Sequence, residues 1–198
     1  MSTERTGELQ SLIVAHDRKV GEALAHFEAS RQQLQTRDFI VPHSYDGIQT
    51  GTIENIDRIR LQWLRPDLFL YIPKAAEPFA FVRHGGKRIV PRTMITDGGT
   101  IPKVLGMFGS GLSPMGYLPA FLVHDWEFES HHCGDITNSF EDVRDTMMEI
   151  LKTMMETGIV NKNIVTFTTI YAGINSPIAR GYWNRDPPSC TLPPDQPE

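Results

Sequence analysis

The sequence predicts an α+β protein with a long N-terminal helix, a small antiparallel sheet and then a three-helix C-terminal part. Apolar residues recur at helical spacing near the N-terminus, and β-like runs bounded by prolines fill residues 59–95. Helical periodicity returns after these runs. We therefore expect an N-terminal helical arm over residues 1–37, a single α+β domain over 38–185 and a proline-rich tail over 186–198.

The apolar pattern of the first segment predicts a helix from residue 8 to about residue 36. Its apolar residues repeat every three, four or seven positions and form one narrow stripe, close to the heptad repeat of a coiled coil. The helix either lies on its own domain or pairs with another subunit or a partner protein. The stripe consists of Leu9, Ile13, His16, Val20, Leu24, Phe27 and Leu34.

Four runs rich in valine, isoleucine, phenylalanine and tyrosine predict the strands of one small antiparallel sheet. Gly85-Gly86 separates the last two runs, and glycine reaches the positive φ that tight hairpin turns need. The runs cover Ile59–Leu64, Leu68–Ile72, Phe79–His84 and Arg88–Ile95.

Three helices are predicted after the sheet. Pro119 begins the first, because proline is favoured in a first helical turn. Ser139 is a candidate N-cap for the second, with Asp142 in its first turn, and Gly158 is a natural C-terminal stop. The third covers Ile164 to Ile174. The proline-rich tail that follows should be irregular.

Composition excludes several classes of protein. A chain of 198 residues that is 40 % hydrophobic can fill one core, and a net charge of −5 argues against a nucleic-acid binder that works by bulk charge. No apolar run approaches the roughly 20 residues of a membrane-spanning helix, and the polar start is not a secretory signal. Cys133 and Cys190 make neither a disulfide framework nor a common zinc motif, so we expect folding in a reducing cytosol.

Two short motifs carry the residue types that catalysis needs. Asp97 lies in the glycine-rich turn from Thr96 to Pro102, where the backbone can come close to a ligand. His124 and Asp125 lie inside the apolar segment LPAFLVHDWEF, where an unpaired imidazole or carboxylate would cost several kcal/mol. These residues form either a catalytic site or a satisfied core network that ties the helix to the Asp97 turn.

Acidic residues on the following helix could complete a metal site. Asp142 and Asp145 share one helix face, and antiparallel packing of the two helices would bring Asp145 towards the His-Asp pair. Which of the two acids faces the pair stays open. We predict Asp97, His124 and Asp125 as catalytic residues, and His124, Asp125 and Asp145 as ligands of Zn²⁺, Mg²⁺ or Mn²⁺. A metal would generate hydroxide from bound water, and without it the same groups could do acid–base work.

Several of these motifs follow one another in a recognisable order. They are Val90-Pro91, the turn from Thr96 to Pro102, His124-Asp125, an acid at Asp142 or Asp145, and Tyr171 with Gly181 and Trp183. This order resembles the phage and prophage family known as domain of unknown function 1353, over about residues 65–185. The resemblance implies a phage or prophage origin and a polar site around Asp97, His124 and Asp125. It implies no particular reaction.

Two functional hypotheses follow, and an accessory factor that acts on host proteins is a third alternative. The first is a phage-derived hydrolase, either metal-dependent or based on histidine and aspartate, that acts on cell-wall linkages or on a phosphoester. The second is a non-catalytic structural or assembly component of a phage particle, of the tail, neck or baseplate type. In the second, the N-terminal helix binds a second copy of the chain or another phage structural protein. We expect no membrane partner, and a location in the host cytoplasm or the virion.

Overall fold

The computed structural model describes residues 3–30, 45–98, 114–185 and 190. Inside the first helix, side chains are described for residues 7–19, 21, 22 and 25. Three predicted features lie wholly or partly outside the described residues: the helix beyond residue 30, the second half of the Asp97 turn, and the proline-rich tail apart from residue 190. The described residues form an α+β structure with five helices and two small antiparallel sheets.

The five helices include one that the sequence did not predict. They are α1 (Thr3–Ser30), α2 (Leu118–His132), α3 (Phe140–Glu156), α4 (Ile164–Ile174) and α5 (Pro177–Trp183). The expectation of three C-terminal helices was wrong, because α2 to α5 are four. Seven residues of α5 are too few to show a helical period, although its N-cap Ser176 and the proline that follows are visible signals. None of the described helices is long and apolar enough to cross a bilayer.

Side-chain caps fix where the C-terminal helices begin. The Ser139 hydroxyl accepts a hydrogen bond from the Asp142 amide at 3.1 Å, as the sequence predicted. The Asn163 side chain accepts from the Thr166 amide at 3.1 Å, so α4 begins at its predicted first residue. After α3 ends, Gly158 adopts a φ of 75°, a left-handed conformation that favours glycine.

The strands form two three-stranded sheets instead of the single predicted sheet. One has the order β1-β4-β5 and the other β2-β3-β6, with every pairing antiparallel. Their bounds are β1 Thr52–Glu54, β2 Leu61–Arg65, β3 Leu68–Tyr71, β4 Ala80–Val82, β5 Arg88–Ile89 and β6 Met94–Thr96.

The predicted run Arg88–Ile95 is the reason for this difference. It divides at Pro91 into β5 and β6, and each half joins a different sheet. Proline has no amide hydrogen for a sheet ladder, so it ends the first strand. β1 was missed because it is only three residues long. Gly51 precedes it, where an added Cβ would lie 2.3 Å from the Val82 carbonyl oxygen, so only glycine fits this close approach to β4.

The core lies between the two sheets and helices α2 to α4. Tyr71 and Met94 are paired across β3 and β6, and both are fully buried. Phe79 and Phe81 enter the same core from the region of β4 and meet Phe121 of α2. A second, smaller cluster joins α2, the start of α3 and α5 through Phe128, Phe140, Val143, Ala179 and Trp183.

The first helix lies on its own domain, against α5 and β6. Ion pairs hold it there. Lys19 contacts Glu129 of α2 at 2.8 Å, Asp17 pairs with Arg65 at the end of β2, and Glu22 pairs with Arg185 after α5 at 2.8 Å. The apolar stripe left open whether this helix packs on its own domain or on another protein. In the structure it packs on its own domain.

A disulfide joins Cys133, at the C-terminus of α2, to Cys190. We expected no disulfide framework from two cysteines, whereas the structure joins them in a single bond. The two positions are 57 residues apart, and the path of three intervening helices brings their Cα atoms to 4.6 Å. The separation of the two cysteines in the sequence does not predict that they meet.

We predict that removing the disulfide by Cys190→Ser lowers the free energy of unfolding by about 4 kcal/mol, the chain entropy of closing a loop of this length. Urea unfolding with and without a reductant measures the change. The Cys133→Ser/Cys190→Ser double variant is the control and should not respond to the reductant. Two free thiols in the unreduced native protein would contradict the prediction.

Candidate functional site

The helix that carries the His-Asp motif is buried along nearly its whole length. Of the 15 residues of α2, 13 are buried, and several of these have ionisable side chains. A buried charge or imidazole is tolerated only with a partner, so each one requires a group from a neighbouring element. The buried ionisable residues are His124, Glu127, Glu129 and His132, and Asp125 and His131 of the same helix are half-buried.

Asp125 joins α2 to the second sheet. Its Oδ2 accepts a hydrogen bond of 2.7 Å from the Thr96 hydroxyl, the last residue of β6. The Thr96 Oγ1 in turn accepts from the Gly98 amide at 3.1 Å, so one hydroxyl links the helix, the strand and the turn. The structure thus brings Asp125 to the Asp97 turn.

His124 is directed into the protein interior. The residue is only 5 % exposed, and its ring packs on Phe128 with 4.6 Å between centroids. Its Nδ1 lies 3.7 Å from Asp125 Oδ1, too far for a hydrogen bond. His124 therefore packs within the fold.

The charges of both predicted aspartates act on the pKa of Tyr182. Burial raises the pKa of its hydroxyl well above the usual range, and the carboxylates of Glu129, Asp125 and Asp97 raise it further. The phenol ring stacks on Phe128 at 5.8 Å. Sequence reasoning did not name Tyr182, although its neighbours Gly181 and Trp183 were part of the family resemblance. Three acidic residues thus raise the pKa of this phenol, and the Arg185 charge opposes them.

Glu129 and His132 lie further along α2, and neither was among the predicted catalytic residues or metal ligands. Both Glu129 oxygens accept from the Lys19 ammonium, at 2.8 and 3.0 Å. Burial lowers the pKa of Lys19, and the Glu129 carboxylate opposes that effect. His132 Nε2 donates to the Tyr182 carbonyl at 3.1 Å, because a carbonyl oxygen only accepts. Burial and the nearby Lys19 hold the pKa of His132 below its ordinary value, so the ring is neutral at pH 7.

The predicted metal ligands do not come together. Asp145 receives the Arg144 guanidinium at 2.7 Å and lines a cavity whose walls include neither His124 nor Asp125. Among the described residues, no three histidine, cysteine or acidic side chains are arranged to hold a metal ion. Asp145 thus lies apart from His124 and Asp125, and the metal ion stays a prediction.

A second charged cluster surrounds Glu127, which sequence reasoning did not single out. Glu127 is 2 % exposed, and its Oε1 accepts from the Asn138 amide group at 3.0 Å. Lys87 Nζ lies 3.7 Å from the same oxygen and 3.2 Å from Asp142 Oδ2. Burial raises the pKa of Glu127 to about 7, while the Arg83 and Lys87 contacts hold the pKa of Asp142 below its usual value. The only feature of the sequence that pointed to Glu127 was the position of an acidic residue inside an apolar helix.

A cavity of about 580 Å³ adjoins this cluster. Its walls come from residues 47–49, from the turn between β4 and β5, and from α3 and α4. Arg83 lines it and is held by Asp142 at 2.6 Å and by Glu149 at 3.0 Å. Glu149 also accepts from the His84 amide. The hairpin side of the cavity is thus anchored by carboxylates of α3.

Comparison with protein-family models, curated proteins and solved structures found no match for this chain. The resemblance described above therefore stays a prediction.

We predict that Lys19→Met lowers the free energy of unfolding by about 3–5 kcal/mol, because both buried oxygens of Glu129 lose their hydrogen bond from the Lys19 ammonium. Urea unfolding measures the loss. Arg18→Met, on the exposed side of the same helix, is the matched control and should change stability by less than about 0.5 kcal/mol. Adding Glu129→Leu to Lys19→Met should recover stability, and failure to do so would argue against the buried pair.

We predict that Glu127 makes the protein less stable as pH rises. Its pKa is about 7 in the fold against 4.5 in an exposed carboxyl, so the folded state holds an extra proton between these values. The protonated carboxyl contributes fully below about pH 4.5, and this contribution is lost as pH rises through 7. Glu127→Gln should match the wild type at pH 5 and exceed it at pH 8, by up to about 3 kcal/mol.

Urea unfolding at several pH values between 5 and 8 tests this expectation. Glu141→Gln, on the exposed first turn of α3, is the control for removing one carboxylate. Equal pH slopes in the wild type and Glu127→Gln would contradict the prediction.

Proposed function

We propose that the chain is a structural or assembly protein of a phage particle, and that its His-Asp motif stabilises the fold. The observation that carries this proposal is the hydrogen bond from Thr96 to Asp125. It uses the predicted catalytic carboxylate to hold β6 against α2. The packing of the His124 ring on Phe128 supports the same role. The phage attribution rests on the family resemblance of residues 65–185.

The first helix is the surface we propose for assembly. Its inner side is attached to the domain through Lys19, Asp17 and Glu22. Val14 is 58 % exposed on the same helix. We propose that this outer side contacts a second copy of the chain or another phage structural protein.

The disulfide supports a location in the virion over the host cytoplasm. Disulfides persist in oxidising surroundings and are rare where glutathione keeps thiols reduced. Cys190 is exposed, so a cytosolic reductant would reach the bond. A particle released from the cell would keep it.

His124→Ala tests the structural role. It removes a buried ring, so we expect the free energy of unfolding to fall by about 2–4 kcal/mol. His84→Ala, at an exposed position of the hairpin, is the matched control and should leave stability within about 0.5 kcal/mol of the wild type. Thermal and urea unfolding give the measurement. Unchanged stability in His124→Ala would refute the structural role.

The second candidate is a hydrolase that acts on cell-wall linkages or on a phosphoester. Its support is that Asp125 meets the Asp97 turn through Thr96, and that the charges of both aspartates raise the pKa of the Tyr182 hydroxyl. Elemental mass spectrometry of the wild type and Asp125→Ala measures any divalent metal. One equivalent that is lost in the variant, together with turnover of peptidoglycan or a chromogenic phosphodiester, would favour the hydrolase.

A further inference from the structure

The hairpin between β4 and β5 reaches from the first sheet to the helices. Its turn is closed by hydrogen bonds from the Arg83 amide to the Lys87 carbonyl at 2.9 Å, and from the Gly86 amide to the Arg83 carbonyl at 2.8 Å. Arg83, His84 and Lys87 all line the 580 Å³ cavity. Movement of this turn would therefore change the opening of the cavity.

Glu127 faces this hairpin from inside the protein. One of its oxygens, Oε2, is buried and has no hydrogen-bond partner. The Thr146 hydroxyl is close to the carboxyl group, but it donates to the Asp142 carbonyl at 2.8 Å. The Asn138 amide group donates to the other oxygen. An ionised Glu127 thus has one neutral donor and depends on Lys87 for its nearest cationic neighbour.

Lys87 connects this buried carboxyl with the cavity. Its ammonium lies between Glu127 Oε1, at 3.7 Å, and Asp142 Oδ2, at 3.2 Å, while its side chain is 43 % exposed. The other charged groups of the cluster are Arg83 of the hairpin and Asp142 and Glu149 of α3. Arg83 forms its ion pairs with Asp142 and Glu149 and none with Glu127, although its charge also acts on that carboxyl. Lys87 is therefore the hairpin contact that depends on Glu127.

We propose that Glu127 and Lys87 form a proton-controlled latch that holds the β4–β5 hairpin against α2 and α3 beside the cavity. When Glu127 is ionised, Lys87 is attracted by two carboxylates and the hairpin is closed. When Glu127 takes up a proton, Lys87 keeps only Asp142, and the hairpin opens more often. The hairpin therefore opens or closes with the protonation state of one buried carboxyl, and the core does not rearrange.

Hydrogen exchange at the hairpin amides tests the latch. The amides of Arg83, His84 and Gly86 are hydrogen-bonded in the closed hairpin. After correction for intrinsic rates, we expect them to exchange about fivefold faster at pH 5.5 than at pH 8, the effect of losing one modest ion pair. In Glu127→Gln they should exchange at the faster rate at both pH values. Equal protection in this variant and the wild type at pH 8 would overturn the proposal.

Two further variants test whether the effect is specific to the Glu127–Lys87 pair. Lys87→Met changes a half-exposed side chain and should make the hairpin amides exchange fast at both pH values. Glu54→Gln removes the exposed partner of Arg88 on the same hairpin and should leave the pH dependence as in the wild type. An equal change in Glu54→Gln would overturn the proposal, because any lost hairpin ion pair would then suffice.

Global stability separates the latch from a general loosening of the fold. Glu127→Gln relieves a buried charge at pH 8, so its midpoint of urea unfolding should rise while its hairpin amides exchange faster. A general loosening of the fold would lower the urea midpoint and speed hairpin exchange together. That outcome would also overturn the latch.

Discussion

The burial of α2 is the constraint on which the rest of the structure depends. A helix with 13 buried residues of 15 must meet a neighbour on nearly every side, and its ionisable side chains decide which groups those neighbours bring. Asp125 requires the Thr96 hydroxyl of β6, and Glu129 requires the Lys19 ammonium of α1. His132 requires a carbonyl at the end of α5. The polar residues of one helix thus set the positions of a strand and of two helices.

These contacts differ in how completely they satisfy the buried group. Glu129 has a lysine on both oxygens, and Asp125 has a hydroxyl that is itself fixed by the Gly98 amide. Glu127 has one neutral donor, the Lys87 ammonium at 3.7 Å and one oxygen without a hydrogen bond. A buried carboxylate with few donors binds a proton more readily, and burial raises the pKa of Glu127 to about 7. The same helix therefore carries rigid contacts and one contact that responds to pH.

Much of the local structure was predictable because its causes are local. The cap of α3 needs only Ser139 and an amide three residues later, and α4 begins and ends where its sequence pattern does. The candidate site was predicted in part, since Asp125 does meet the Asp97 turn through Thr96. The partners of Glu127 could not be predicted, because Lys87 and Asp142 reach it from separate elements.

The sequence by itself determined the α+β class, the helix caps and the need for buried polar groups to find partners, because these follow from composition and near neighbours. Only the tertiary structure decided which partners they found. It assigned the two halves of one β-like run to different sheets and placed Asp145 in a cavity wall. It also brought Cys133 to Cys190 across 57 residues. Such pairings depend on the path of the whole chain, and sequence spacing does not encode a distance between elements.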